Sequence, residues 1–225
     1  MQEIRLKSVN DFVEWRAAAR MLLRGGIPPS AVTWIDPAAT GGLFDSPDAL
    51  PPTAPDRPAG RAPRRFVTLA RTAICHSDPE RFALLYRLLW RLQKDRAILA
   101  NLSDVDTGKL NRRVEDIARE VKRMQEDLRF RRAVAADGHH GLAAWFEPKH
   151  YVLELVAPHF ARVHRDTDWW IATPNRTCWW DGKTLTFGPG GAPPPVREPS
   201  ASRTISPRSA TSPGASSDAA SRKAG

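Results

Sequence analysis

The sequence predicts an α+β domain: a helical first half, then an antiparallel sheet interrupted by a short crossover helix, then a disordered C-terminal tail. Three observations carry that expectation. Apolar residues recur at helical spacing from residue 65 to residue 128, the period shortens to two from Gly141 onward, and after Gly190 neither period survives. The 20 prolines and 14 glycines of the 225-residue chain are clustered rather than scattered. They divide it into a small N-terminal α/β unit (1–35), a Pro/Gly/Ala linker (36–64), the main α+β domain (65–190) and a low-complexity tail (191–225).

In the N-terminal unit "EIRLK" predicts a strand and "NDFVEWRAAARMLLRGG" a helix. Asn10 is the expected N-cap, Phe12, Trp15, Ala18, Ala19 and Leu22 form the apolar face, and Gly25–Gly26 stops the helix. "RFVTLARTAICH" opens the main domain as a second helix. In "SDPERFALLYRLLWRLQK", Ser77 and Glu80 have the spacing of a capping box, in which hydroxyl and carboxylate satisfy free amide groups at a helix start. Phe82, Leu84, Leu85, Leu88, Leu89 and Leu92 then cover a stripe wide enough to place this helix at the centre of the core. Leu110, Val114, Ile117, Val121, Met124 and Leu128 make one narrow seam, as on a long helix docked at the surface. "LAAWFE" and "HYVLEL" are expected as a hairpin about Pro148–Lys149, "APHFARVH" as a short helix begun by Pro158, and "DWWIAT", "RTCWW" and "KTLTF" as further strands.

Two doublets, Trp169–Trp170 and Trp179–Trp180, hold half of the chain's 8 tryptophans. With Asp181–Gly182 as a two-residue turn, Trp180 pairs with Lys183 and Trp179 with Thr184. Cys178, Trp180, Leu185 and Phe187 then share the core face, while Thr177, Trp179, Thr184 and Thr186 share the other. Because side chains alternate, each doublet sends one ring to each face. Rings on the second face ordinarily pack against helices in a sheet covered on both sides. The alternative is a platform for an unpaired base, and Trp179 fits it better because its neighbours there are threonines.

The formal charge is +9, and the first 190 residues alone hold 29 basic against 23 acidic side chains, so a polyanionic partner, nucleic acid or an anionic membrane surface, is favoured. On the central helix Arg87, Arg91 and Lys94 form a ridge with no acid three or four positions away. That pattern suits phosphate contacts, although a solvated face is the plainer reading; three such contacts imply a log–log salt slope of roughly −3. Lys122 and Arg129 extend the track along the long helix, whereas Glu115 with Arg119 and Asp127 with Arg131 have the spacing of ion pairs that need no ligand.

Chemistry is harder to find. The 2 cysteines are too few for a disulfide framework or a thiolate metal cluster, and the histidines, His139, His140, His150, His159 and His164 among them, lack ligand spacing, so neither metal nor cofactor is expected. Phosphate-loop, dinucleotide and nucleophile-elbow motifs are absent. An enzyme would have to use a cleft containing His150 or Glu147. The N-terminus has no signal-like apolar run and no stretch reaches 18 apolar residues, which makes a cytoplasmic protein the expectation.

"DPERFALLYRLLWRL", "EVKRMQEDLRFRR", "AWFEPKHYVLELVAPHF", "WWIATPN" and "WDGKTLTFGPG" together resemble an uncharacterised bacterial domain described as a probable DNA metabolism protein. The resemblance covers residues 64 to 190 and extends weakly to the N-terminal unit. In that family the domain commonly precedes a UdgX-type uracil-DNA glycosylase domain or accompanies a radical-SAM partner in DNA repair. The resemblance implies a non-catalytic accessory domain in DNA repair; joined to the charge and register readings above, it gives a DNA-binding domain with Arg87, Arg91, Lys94, Lys122 and Arg129 on the backbone and Trp179 stacking. A module that docks the glycosylase or radical-SAM partner is the alternative, as is a base-processing enzyme. Many relatives have His-Lys-Met where this chain has Lys122, Arg123 and Met124, and the glycosylase motifs are absent. The abrupt compositional change after Gly190 suggests that a frameshift replaced the glycosylase half, which the other two reading frames of the downstream DNA would reveal.

Overall fold

A computed structural model of the chain describes residues 1–38, 60–134, 138 and 140–193. His139, most of the expected linker and nearly all of the expected tail lie outside the described residues. The elements are β1 (Gln2–Arg5), α1 (Phe12–Arg24), β2 (Val32–Ile35), α2 (Arg64–Ala73), α3 (Arg81–Arg91), α4 (Val105–Asp127), β3 (Arg131–Val134), β4 (His140–Trp145), α5 (Leu153–Val163), β5 (Trp169–Ala172), β6 (Arg176–Trp180) and β7 (Leu185–Pro189). The α+β class stands: a mostly helical first half leads into a sheet of order β3-β4-β5-β6-β7.

At the N-terminus β1 and β2 pair in parallel, and α1 is the crossover between them. The cap of α1 is Asp11 rather than Asn10: the Asp11 carboxylate accepts from the N–H groups of Val13 and Glu14 at 2.7 and 3.2 Å. Asn10 instead donates from Nδ2 to Glu154 at 3.0 Å. The five apolar positions of α1 are buried, and Gly26, at a φ of 64°, turns the chain away after the helix.

This N-terminal layer packs on α3 and is tied there by a buried ion pair. Arg81 is wholly buried and donates to both Asp36 oxygens, at 2.6 and 3.0 Å, and to the Val9 carbonyl at 2.8 Å. Its guanidinium lies over the Phe82 ring, 4.0 Å from the centroid. Trp34 meets Phe82 and Tyr86, and Tyr86 donates its hydroxyl to the Ile27 carbonyl at 2.6 Å. As its stripe predicts, α3 is central, with Phe82, Leu84, Leu85, Leu88, Leu89 and Leu92 buried.

The sheet is mixed rather than antiparallel throughout. β4 and β5 run parallel, from Leu142 opposite Trp169 to Trp145 opposite Ala172, whereas the other neighbours are antiparallel. The expected hairpin strand "HYVLEL" is the approach to and first turn of α5, because Leu153, Val156, Ala157 and Phe160 have the spacing of a helix face and all four are buried. Pro158 sits inside α5 instead of starting it. A helix in that place is what lets the chain return in parallel.

Between β6 and β7 the loop spans four residues, not two. The Asp181 carboxylate accepts from the Lys183 and Thr184 N–H groups at 2.9 and 2.6 Å, and Gly182 has a φ of 83°. Trp180 therefore pairs with Leu185 and Trp179 with Thr186. The register differs from the expected one by two residues, an even step, so every side chain keeps its predicted face.

Candidate nucleic-acid interface

The two sides of the sheet have different coverings. On the side of Trp169, Ile171, Cys178 and Trp180 lies the hydrophobic core. Trp169 is stacked on Trp180 at 6.4 Å and meets Phe130 and Phe160 edge-on. On the other side, the register aligns Arg131, Ala143, Trp170, Trp179 and Thr186 in one row across all five strands. A second row runs through Trp145, Ala172, Thr177 and Gly188. Ala133, Ala143 and Ala172 are buried, yet none belongs to the hydrophobic core cluster. Three tryptophans share their face: Trp170 and Trp145 are half-buried, and Trp179 is 42% exposed. Among the described residues none of these three rings contacts another aromatic side chain or joins the core cluster. Among the described residues, the second-face rings thus stand outside the helix-packed core cluster.

The basic residues singled out from the sequence are placed differently from expectation. Arg87 donates to Asp106 at 3.1 Å, and Arg91 donates to Asp104 at 2.5 Å and to Asp106 at 3.1 Å. The premise that no acid neutralises this ridge is therefore corrected. Both carboxylates stand at the start of α4, where Asp104 also caps the Thr107 N–H and the helix dipole favours negative charge. Spacing along α3 alone does not show that this neighbouring helix start comes alongside. The Arg91 hydrogen bond holds the Asp104 carboxyl below its ordinary pKa. Lys94 is exposed. Lys122 forms an exposed pair with Glu126 at 3.7 Å, and Arg129 donates to the carbonyls of Glu126 and Leu128 at the end of α4. Arg119 pairs with Asp116 instead of Glu115, and Arg131 has left the helix for β3. Arg123 pairs with Glu120 and lies over Phe146.

One polar cluster has no signature in the sequence because its members are about seventy positions apart. The expected capping box at Ser77 and Glu80 does not form. The free amides ahead of α3 are satisfied by other groups: the Ser77 N–H donates to His150 Nδ1 at 3.2 Å, the Asp78 N–H to His76 Nδ1 at 3.0 Å, and the Glu80 N–H to the Asp78 carboxylate at 2.8 Å. Accepting a backbone N–H at Nδ1 fixes both neutral imidazoles with their proton on Nε2. The two rings lie 4.1 Å apart. Burial, then the neighbouring His150, pushes the His76 pKa down to about 4, and burial also lowers that of His150. Arg113 pairs with Asp78 at 2.5 Å from the buried side of α4.

His150 is buried, so the cleft it lines with Asn10, Glu154 and Arg176 does not expose it. The polar groups there serve each other: Glu154 takes Asn10 at 3.0 Å and Arg176 at 2.8 Å. Glu147 accepts from Trp145 Nε1 at 3.2 Å. Burial pushes the thiols of Cys75 and Cys178 up to about 12, far from the range of a reactive thiolate. Among the described residues no group of histidine, cysteine and carboxylate side chains could hold a metal ion, and no helix is long and apolar enough to cross a membrane.

Fold and surface together define an α+β domain with one helix-covered sheet face and one face carrying its own tryptophans. Residues 79–202 match the family DUF4130, described only as a domain of unknown function, and the chain belongs to that family. No curated protein and no solved structure matches the chain.

Proposed function

We propose that the domain binds nucleic acid without performing chemistry of its own, as an accessory to a DNA-repair enzyme such as a uracil-DNA glycosylase or a radical-SAM protein. The observation that carries the binding is the tryptophan-bearing sheet face in a chain of charge +9. Exposed Arg131 ends the row that contains Trp170 and Trp179, and exposed Lys183 lies in the loop between β6 and β7. These cations replace Arg87 and Arg91, whose charge is taken up within the fold. The repair setting comes from the family resemblance, in which the domain accompanies such enzymes.

Titration of the full chain with labelled DNA at about 50 and about 200 mM salt tests the proposal. Two phosphate contacts give a log–log slope of roughly −1.5, shallower than three contacts would give. Charge removal at Arg131 and Lys183 is expected to flatten it. Absence of binding to single- or double-stranded DNA at the lower salt concentration overturns the proposal. Salt-insensitive capture of a glycosylase or radical-SAM protein by the same face would replace it with the docking alternative.

A further inference from the structure

Resting on that proposal, we infer that the outer sheet face takes single-stranded rather than duplex nucleic acid, with unpaired bases stacked on the free faces of Trp179 and Trp170. The inference comes from two glycines. A Cβ built on Gly188 would stand 2.7 Å from Cζ3 and 2.8 Å from Cη2 of Trp179, while one on Gly141 would meet the Asp168 carbonyl oxygen first, at 2.7 Å, and Cζ3 of Trp170 at 3.2 Å. Each indole thus reaches with its far edge toward a neighbouring strand at a position without a side chain. Trp179 leans from β6 toward β7, and Trp170 leans from β5 toward β4.

Only the far edge of Trp179 meets Gly188, so a β-carbon there would push the ring aside, and at 42% exposure the ring keeps aromatic surface open to solvent. Alanine and threonine around the two rings, Ala143, Ala172, Thr177 and Thr186, are too short to overhang them. The leaning directions are opposite, so the two faces are separate stacking places. In a duplex the base faces are already stacked on one another and only edges reach the grooves. A flat aromatic face consequently offers a duplex nothing to stack, while every unpaired base has a π-face to give. Arg131 and Lys183 stand toward opposite edges of the row, where a backbone crossing both rings would meet them. Trp145 is left out because its indole N–H is held by the Glu147 carboxylate, which repels phosphate.

The test compares a labelled oligothymidylate of about a dozen nucleotides with a duplex of the same length, using the full chain and following tryptophan fluorescence. The single strand should bind more tightly and quench the emission. Trp179→Ala should weaken single-strand binding roughly 5- to 150-fold, the range for loss of one stacked base, and leave any duplex binding unchanged. Gly188→Ala keeps the indole but lifts it from the sheet; it should also weaken single-strand binding, by less than Trp179→Ala. A purely apolar patch would instead be indifferent to the added methyl. If duplex and single strand bind alike and Trp179→Ala changes neither, the inference fails while nucleic-acid binding stands. If neither binds, the proposed function fails as well.

Discussion

Trp169 and Trp170 are adjacent in sequence and share a strand, yet they belong to different environments. Trp169 is 1% exposed, stacked on Trp180 and met by Phe130 and Phe160 from the helix side. Trp170, one peptide further on, is outside the core cluster, with Cζ3 of its ring reaching toward Gly141. The β6 doublet repeats the division, with Trp180 packed against the core and the far edge of Trp179 at Gly188. One amino-acid type thus meets two environments: on the covered face area removed from water stabilises the fold, and on the other face the Trp179 ring stays partly in water.

Truncating one ring from each face should therefore separate stability from binding. Trp169→Ala opens a cavity in a close-packed aromatic cluster and is expected to cost about 3–5 kcal/mol by denaturant titration. A loss below about 1 kcal/mol would break the comparison, since the helix-covered face would then not be the core.

Acidification should distinguish the two sides next. The covered side holds His76 and His150 as neutral acceptors of backbone N–H groups, with Arg113 and the carboxylates Asp78, Asp116 and Glu120 around them. The folded pKa of His76, about 4, lies below the ordinary 6.5, so the unfolded chain takes up protons first as pH falls. Stability is complete above about pH 6.5 and declines toward about pH 4, by on the order of 3 kcal/mol from His76 alone. His150 adds loss in the same direction. Denaturation midpoints at pH 7.5, 5.5 and 4.5 measure the decline, and His76→Asn should flatten it. Between pH 7.5 and 5.5, while the fold survives, single-strand binding on the open face should not fall in parallel; a parallel fall would join the two sides functionally.

The third effect is smaller. Trp179→Ala removes a ring that is already 42% exposed, so about 1–2 kcal/mol of stability is expected to go, less than the cost of Trp169→Ala. A loss equal to that of Trp169→Ala would make Trp179 a core residue and remove it from any interface.

How much of this division could be read from the sequence follows from what kind of information each part needs. The face of every ring from Cys178 to Phe187 was legible, because alternation depends only on parity and the two-residue error in the Asp181–Gly182 turn preserves parity. The centrality of α3 was legible from its wide apolar stripe. "HYVLEL" was not, since Leu153, Val156, Ala157 and Phe160 fit a helix face as well as a short strand, and length could not arbitrate. Trp145 could have been found by extending the alternation through "LAAW". The His76–His150 pair could not, because only the tertiary fold brings those residues to one helix start.

The pairing of the arginine ridge on α3 was illegible for the same reason, and it supplies the smallest effect. Two accounts of Arg87 and Arg91 make opposite predictions for the double Gln variant. As phosphate contacts, they would take binding with them, and the salt slope would drop by about two contacts. As partners of Asp104 and Asp106, they should leave binding and slope unchanged while stability falls by less than about 1 kcal/mol per pair, since side chains 34% and 41% exposed are screened by solvent. The fall should shrink further at high salt, because screening already weakens the pairs being removed. Loss of Arg91 also lets the Asp104 carboxyl rise back toward its ordinary pKa, so the penalty should vanish as pH drops through the range where that group protonates. A variant that loses DNA at unchanged stability would return the interface to the helices and leave the tryptophan face without its role.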